Sequence, residues 1–319
     1  MRGWLQAGLT GLALGAAADG AAAQGAMLAA DAPQGAMLTT NAPQGAMLQF
    51  DKPADAQAMY RKIQCSTKDN VPVVYHWAGR VWSRMQGEPD RHLWDVEGMN
   101  VRTCVTVNDP VKGVGVRMLS RELMFYLDPK TGKVLENWQN PWTGKSNRIF
   151  HVANDPVNQG PTFQTGRDGK PFVLDARADN GMVFWNIEVP LFYTNPLGGD
   201  FQDYAGNHYH AMEMFNFIVD EKQLRSPKTT AANAVVSWVR LSGWMPFMEM
   251  GSRPGGLVFN ATGGVVSGIE ALPMVVQEQI AKNYPQYRVP PPVDDTRKNA
   301  TTWTEFRKLV ESERAKAKK

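Results

Sequence analysis

Between residues 71 and 268 the apolar positions come in short runs rich in Val, Phe, Tyr, Trp and Met, broken by Gly, Pro, Asn and Asp. That spacing predicts strands rather than helices. The candidate strands are "VVYHWAGRVWSR", "HLWDVEGMNVRTCVTV", "GVRMLSRELMFYL", "KVLENWQN", "NRIFHVAN", "GMVFWNIEVPLFY", "HYHAMEMFNFIV", "AVVSWVRLSGW" and "GGLVFNATGGVVSG". In "YLDPKTGKVL", Asp128-Pro129 opens a turn and Gly132 supplies a left-handed residue, so two strands should meet there in a hairpin. Consecutive strands with no helix between them favour an antiparallel meander, and closing it would remove the exposed edges. The predicted class is mainly β: an antiparallel up-and-down β-barrel, lipocalin-like, with C-terminal helices.

The pattern changes period at both ends. "KPADAQAMYRKIQ" predicts an opening helix. "IEALPMVVQEQIAKNY" carries Val275, Ile280 and Tyr284 at helical spacing, and "TTWTEFRKLVESERAKAKK" starts at a Thr cap and ends in Lys. Trp303, Phe306 and Leu309 would dock that last helix, and "VPPPV" is an extended spacer before it. The barrel domain is placed at residues 54–293 and a basic C-terminal helix at 294–319.

Ahead of the domain, Met1-Arg2, a mildly apolar run and Ala21-Ala22-Ala23 read as an export signal over residues 1–23. The run is too short and too rich in Gly and Ala for a stable membrane anchor. Three copies of a decapeptide beginning "QGAML" fill residues 24–53. Ten residues fit no common solenoid unit, so this tract is expected to be a flexible linker outside the fold. The protein is thereby expected in the periplasm or outside the cell. Cys65 and Cys104 would be free to pair there, and the sequence leaves that open. The net charge of +3 is matched by the last fifteen residues, which hold six basic and three acidic side chains. No basic stripe remains for a phosphate backbone, so nucleic acid is not expected as a partner. Oligomeric state is not legible.

Alternation sorts the candidate chemistry. In "HYHAMEMFNFIV", His208 and His210 share one face, while Glu213 shares the other with Tyr209, Phe215 and Phe217. If the aromatic face is interior, Glu213 is desolvated, its pKa rises, and it must be paired or neutral. Arg121 and Arg240 are candidate partners or anion holders, and Glu122 lies on the opposite face of its strand from Arg121. In "SWVRLSGW", Trp238, Arg240, Ser242 and Trp244 alternate onto one face, which would set Arg240 between indoles. "HVANDPVNQ" offers His151, Asn154 and Asp155 at a strand end. There is no GxSxG, HExxH, GxGxxG or phosphate loop. The two cysteines have no zinc spacing.

With these stretches laid out, the chain resembles the domain-of-unknown-function family 1838. The likeness rests on "DVEGMNVRTC", "LSRELMFYLDPKTGKVLENWQNPWTG", "HVANDPVNQ", "HAMEMFNF", "SWVRLSGWMPFMEMGSRPGGLVFN" and "LPMVVQEQIAKNYPQYRVPP". Its polar and aromatic positions are Arg102, Arg121, Glu122, Tyr126, Trp138, Asn140, His151, Asn154, Asp155, Glu213, Arg240 and Trp244. The resemblance implies no particular activity. It leaves out His208 and His210, and it agrees with an export leader.

Two functions follow from the residues. One is a cofactor-independent enzyme, a lyase or isomerase acting on an aromatic or isoprenoid-like small molecule. Glu213 would be acid or base, His151 its counterpart and Tyr126 a hydrogen-bond donor. Arg121, Arg240, Trp238, Trp244, Glu122, Asn154 and Asp155 would bind the substrate. Ten Trp and sixteen Met suit an adaptable apolar cavity. The other is a non-catalytic, lipocalin-type carrier of an apolar or aromatic ligand. A metal-dependent enzyme built on the His-x-His pair is a third and weaker reading, and no metal ligands are assigned. The enzyme predicts Glu213 and His151 facing each other across a pocket; the carrier predicts them apart, with the carboxylates paired to arginines.

Overall fold

The computed structural model describes residues 46–318, apart from 167, 198–200, 202 and 205. The expected leader and the repeat tract up to residue 45 lie outside the described residues. The chain runs through α1 (Pro53–Gln64), β1 (Val73–Arg84), β2 (His92–Asp109), β3 (Gly113–Leu127), β4 (Asn137–Gln139), β5 (Ser146–Arg148), β6 (Val152–Asn154) and β7 (Thr162–Phe163). It continues with β8 (Ala176–Asp179), β9 (Met182–Thr194), β10 (His208–Asp220), α2 (Glu221–Arg225), β11 (Val235–Ser242), β12 (Gly256–Val266), α3 (Met274–Asn283) and α4 (Thr302–Ala317).

Ten of the strands make one antiparallel sheet in the order β6-β3-β2-β1-β12-β11-β10-β9-β8, with β7 also on β3. The expected meander therefore exists in two runs, β1 to β3 and β8 to β12, which meet where β1 pairs with β12. The fold is mainly β, antiparallel, with C-terminal helices. Closure into a barrel is not found: no ladder among the described residues joins β8 to β6 or β7. The end strands are only two to four residues long, so the sheet limits its edges by shortness. Pro190 fits the same logic. It pairs with Met212 on β10, while β8 covers β9 only up to Trp185, so its missing N–H faces an open edge.

One face of the sheet is buried along its whole width. Tyr75 and Trp77, Trp94 and Val96, Met124 and Tyr126, and the inward residues of β9 to β12 belong to one core, covered by α1, α4 and the segment around Phe247. Among the described residues the opposite face is covered over β1 to β3, where α3 and Tyr287 pack on Val74, Met99, Val101, Leu123 and Phe125. Strands β2 and β3 are thus buried on both sides, which accounts for the mixture of charge and bulk on both faces of "RMLSRELMFYL". Over β9 to β11 the outer face is open, with Phe192 and Val235 exposed.

Two local features set the inner face. Gly98 lets the Trp77 indole lie flat on β2: a Cβ there would fall 2.2 Å from Trp77 Cε2. Cys65, at the end of α1, is bonded to Cys104 on β2 and pins the helix to the sheet. The segment just before α1 also belongs to the fold, contrary to the linker expectation. Leu48 N–H donates to Arg225 C=O, and Phe50 C=O accepts from Leu174 N–H, both at 2.9 Å. Turn "DPKTGK" reverses the chain as expected, with Gly132 at φ 68° and Asp128 N–H bonded to Lys133 C=O. The last helix docks through Trp303, Phe306 and Val310 rather than Leu309.

Candidate functional site

Strand β10 alternates as its sequence implies. Tyr209, Ala211, Glu213, Phe215 and Phe217 are buried, while His208 and His210 stand on the outer face around Phe192. No three His, Cys, Asp or Glu side chains gather as metal ligands among the described residues.

Glu213 lies directly opposite Arg240 across the β10–β11 ladder, and Arg240 Nη1 donates to Glu213 Oε1 at 2.9 Å. The pair is buried, with 1% of the Glu213 side chain and 6% of the Arg240 side chain exposed. Burial pushes the Glu213 carboxyl up to about 7 against the pull of the guanidinium. Burial opposes the charge on Arg240 as well, but the Tyr209 and Glu213 oxygens hold it above its ordinary value. Arg240 Nη2 donates to Tyr209 Oη. The guanidinium sits near the rings of Tyr209 and Phe259, at 5.8 and 5.9 Å, and not between Trp238 and Trp244 as the alternation suggested. Strand β11 ends at Ser242, so Trp244 leaves the alternation; its Nε1 donates to Arg253 C=O and its ring packs on Trp142. Trp238 is buried between Phe215 and Phe259.

A second carboxyl shares this interior. Glu122 on β3 is fully buried and accepts from Asn154 Nδ2 at 3.1 Å, its partner across the β3–β6 ladder. Burial holds it well above the usual carboxyl range, and the Glu213 charge adds to that. Tyr126, four positions further along β3, carries its hydroxyl inward, and burial raises it too. Tyr126, Arg240, Met124, Met245, Phe259 and Trp303 are among the walls of an enclosed cavity of about 10 Å³. That is room for one water, not for a ligand.

The buried polar atoms of this inner face are poorly served. Glu122 Oε1, Asn154 Oδ1, Tyr126 Oη, Arg240 Nε and the indole N–H groups of Trp77, Trp94 and Trp238 are all buried without a hydrogen-bond partner among the described residues. Native interiors leave few such groups, and each is costly.

Other expected site residues lie elsewhere. Arg121 points to the opposite face of β3, where its Nη1 donates to the carbonyls of Gln286, Val289 and Pro290 and its Nε lies 3.0 Å from Asp155 Oδ1. Asp155 also takes Arg297 at 2.8 Å, so both residues fasten the C-terminal segment instead of facing Glu213. His151 lines an open groove of about 390 Å³ with Glu136, Asn137, Arg148 and Ile149. Its Nδ1 accepts from Tyr126 N–H at 3.2 Å, and burial lowers it to about 4. It does not meet Glu213 across a pocket.

Three interior residues escaped the sequence assignment. Tyr209 stands on the Glu213 face, four positions before Glu213 on β10. Arg102 was legible only as one position of a family pattern. Trp303 looked like an ordinary docking residue, yet its ring packs on Tyr209 at 4.7 Å and closes the cavity.

Among the described residues no helix is long and apolar enough to cross a membrane. No curated protein matches the chain. The profile of a family described as protein of unknown function, DUF1838, matches residues 70–310, which takes in every strand of the sheet, both carboxyls and the Trp303 end of α4. The chain belongs to the DUF1838 family.

Proposed function

We propose that the protein binds a small molecule on the inner face of its curved sheet and acts on it by cofactor-independent acid/base chemistry, as a lyase or isomerase. The observation that carries this reading is the set of buried, unpartnered polar atoms gathered around two buried carboxyls whose protons are held to higher pH than usual. A ligand oxygen would satisfy Tyr126 Oη and Arg240 Nε, where negative charge develops. Glu213 would take a proton from carbon, and Glu122, kept neutral by burial, would deliver one at the other end of the shifted double bond. His151 and Glu213 lie apart, which counts against the enzyme as first framed, and Glu122 replaces His151 as the counterpart. Met124, Met245, Phe259 and Trp303 supply apolar walls for an aromatic or isoprenoid-like body. Because the enclosed space is water-sized, binding requires Trp303 and the start of α4 to swing away, leaving the sheet as a half-open, lipocalin-type cup.

The ion pair of Glu213 with Arg240, and its distance from the His151 groove, support a second reading: a non-catalytic carrier whose charged residues close one end of the cup. In both readings the Cys65–Cys104 bond and the export signal expected over residues 1–23 favour an exported protein.

The test is an extract of small metabolites incubated with wild type and with Glu213→Gln, followed by mass spectrometry of the solution and of the protein-bound fraction. The enzyme depletes one compound and raises another, while the variant retains the first unconverted. The carrier retains it unchanged in both. If neither protein retains or converts anything, both readings fail.

A further inference from the structure

We propose that the part of the inner face beneath α1 is an anion-binding site, built on Arg102, Gln64 and Gln159 and taking one monoanionic group. It uses none of the donors of the site around Arg240 and goes beyond that reading.

Arg102 lies opposite Ser120 in the β2–β3 ladder and is wholly buried. Its Nε donates to Asn100 Oδ1 at 2.6 Å, its Nη1 donates to Gln64 Oε1 at 2.7 Å, and its guanidinium lies 4.3 Å from the centre of the Tyr75 ring. Every one of these partners is neutral. Among the described residues no carboxylate makes an ion pair with it. Glu122, opposite Asn100, is close enough to be felt, but burial pushes its carboxyl well above the usual range and its Oε2 is engaged by Asn154. Burial lowers Arg102 to about 10, which still leaves it charged at neutral pH.

Among the described residues, three unpartnered atoms on this part of the face are donors, against one unpartnered acceptor, Glu122 Oε1. Arg102 Nη2, Gln64 Nε2 and Gln159 Nε2 are buried N–H donors without acceptors. The glutamine oxygens are already used, Gln64 Oε1 by Arg102 and Gln159 Oε1 by the Tyr60 hydroxyl at 2.8 Å. Helix α1 sets Tyr60 and Gln64 one turn apart on the face that meets the sheet, which holds Gln64 on the guanidinium and, through the Tyr60 hydroxyl, Gln159 on the same side of the helix. A water molecule would accept hydrogen bonds but leave the buried charge uncompensated. An anion does both. The chemistry fits a halide-sized free ion or the carboxylate of a larger ligand.

Crystals of the protein grown in sodium bromide test this directly through anomalous scattering. We expect a bromide peak within hydrogen-bonding distance of Arg102 Nη2, or, where the site already holds an acidic group, carboxylate density there that continues into a larger molecule. An uncharged water at that position, or Glu122 turned to pair with Arg102, overturns the site. In solution, sodium bromide should raise the melting temperature of the wild type saturably, beyond its effect on Arg102→Gln at equal ionic strength. Gln64→Leu should weaken that effect about tenfold, the worth of one hydrogen bond to a charged group. An equal bromide effect in wild type and Arg102→Gln would also overturn it. A bromide peak at Arg102 with nothing bound at Arg240 keeps this site and removes the proposed function; the converse result does the reverse.

Discussion

Replacing Glu213 with Gln keeps the shape of the side chain and an acceptor for Arg240 Nη1, but removes its titration. In the folded protein burial holds the carboxyl at about 7, against 4.5 for an ordinary glutamate in the unfolded chain. Between those values the folded state keeps a proton that the unfolded state has released, so stability falls as pH rises. Each pH unit is worth about 1.4 kcal/mol. Across the window the wild type should lose about 3 kcal/mol relative to the variant, with most of the loss complete near pH 7. Urea unfolding at several pH values between about 4.5 and 8 measures this. Taking the difference between the two proteins cancels the groups that titrate alike in both, His151 included. A difference that stays flat, or a wild type that gains on the variant as pH rises, would mean that Arg240 keeps the carboxylate ionised at all these pH values. The acid/base assignment would then be lost.

Arg121→Met should destabilise the protein by about 3 kcal/mol by orphaning three carbonyls of the C-terminal segment, seen as faster limited proteolysis within residues 284–301. Proteolysis at the wild-type rate would contradict that role. Reduction of the Cys65–Cys104 bond, which closes a loop of 39 residues, should cost about 4 kcal/mol in urea unfolding, and an unchanged midpoint would show the bond to be incidental. His151 is held neutral, at about 4, below the 6.5 of a free imidazole. Its contribution to stability is complete above the unfolded value and is lost as pH falls toward the folded one. Its ring protons should show no titration by NMR above about pH 5, and a midpoint near 6.5 would place it in water.

How far the sequence could be read depended on how many faces of a strand are covered. Strand β10 has one wet face, so alternation put Glu213 inside and His208 and His210 outside without further help. Strand β3 is covered on both sides, and there alternation lost its meaning: Arg121 and Glu122 looked equally suited to an interior site, and only the packing of α3 and the C-terminal segment separates them. Pairing across the sheet was out of reach for a different reason. Arg240 could have met Glu213 or Glu122, and the choice is made by the β10–β11 register. His151 immediately precedes a three-residue strand, too short for any period to fix its direction. Barrel closure failed as an expectation because it depends on the lengths of the end strands. The hollow was overestimated because Trp303, from the far end of the chain, fills it.

The most direct measurement is an atomic-resolution crystal structure of protein purified from its own cells and never unfolded. The account predicts a molecule other than water between Tyr126, Arg240 and Trp303, with an oxygen inside hydrogen-bonding distance of Tyr126 Oη and Arg240 Nε. Ordered waters alone satisfying Tyr126, Arg240, Glu122 and Asn154, with Trp303 seated on Tyr209 as it is here, would contradict it.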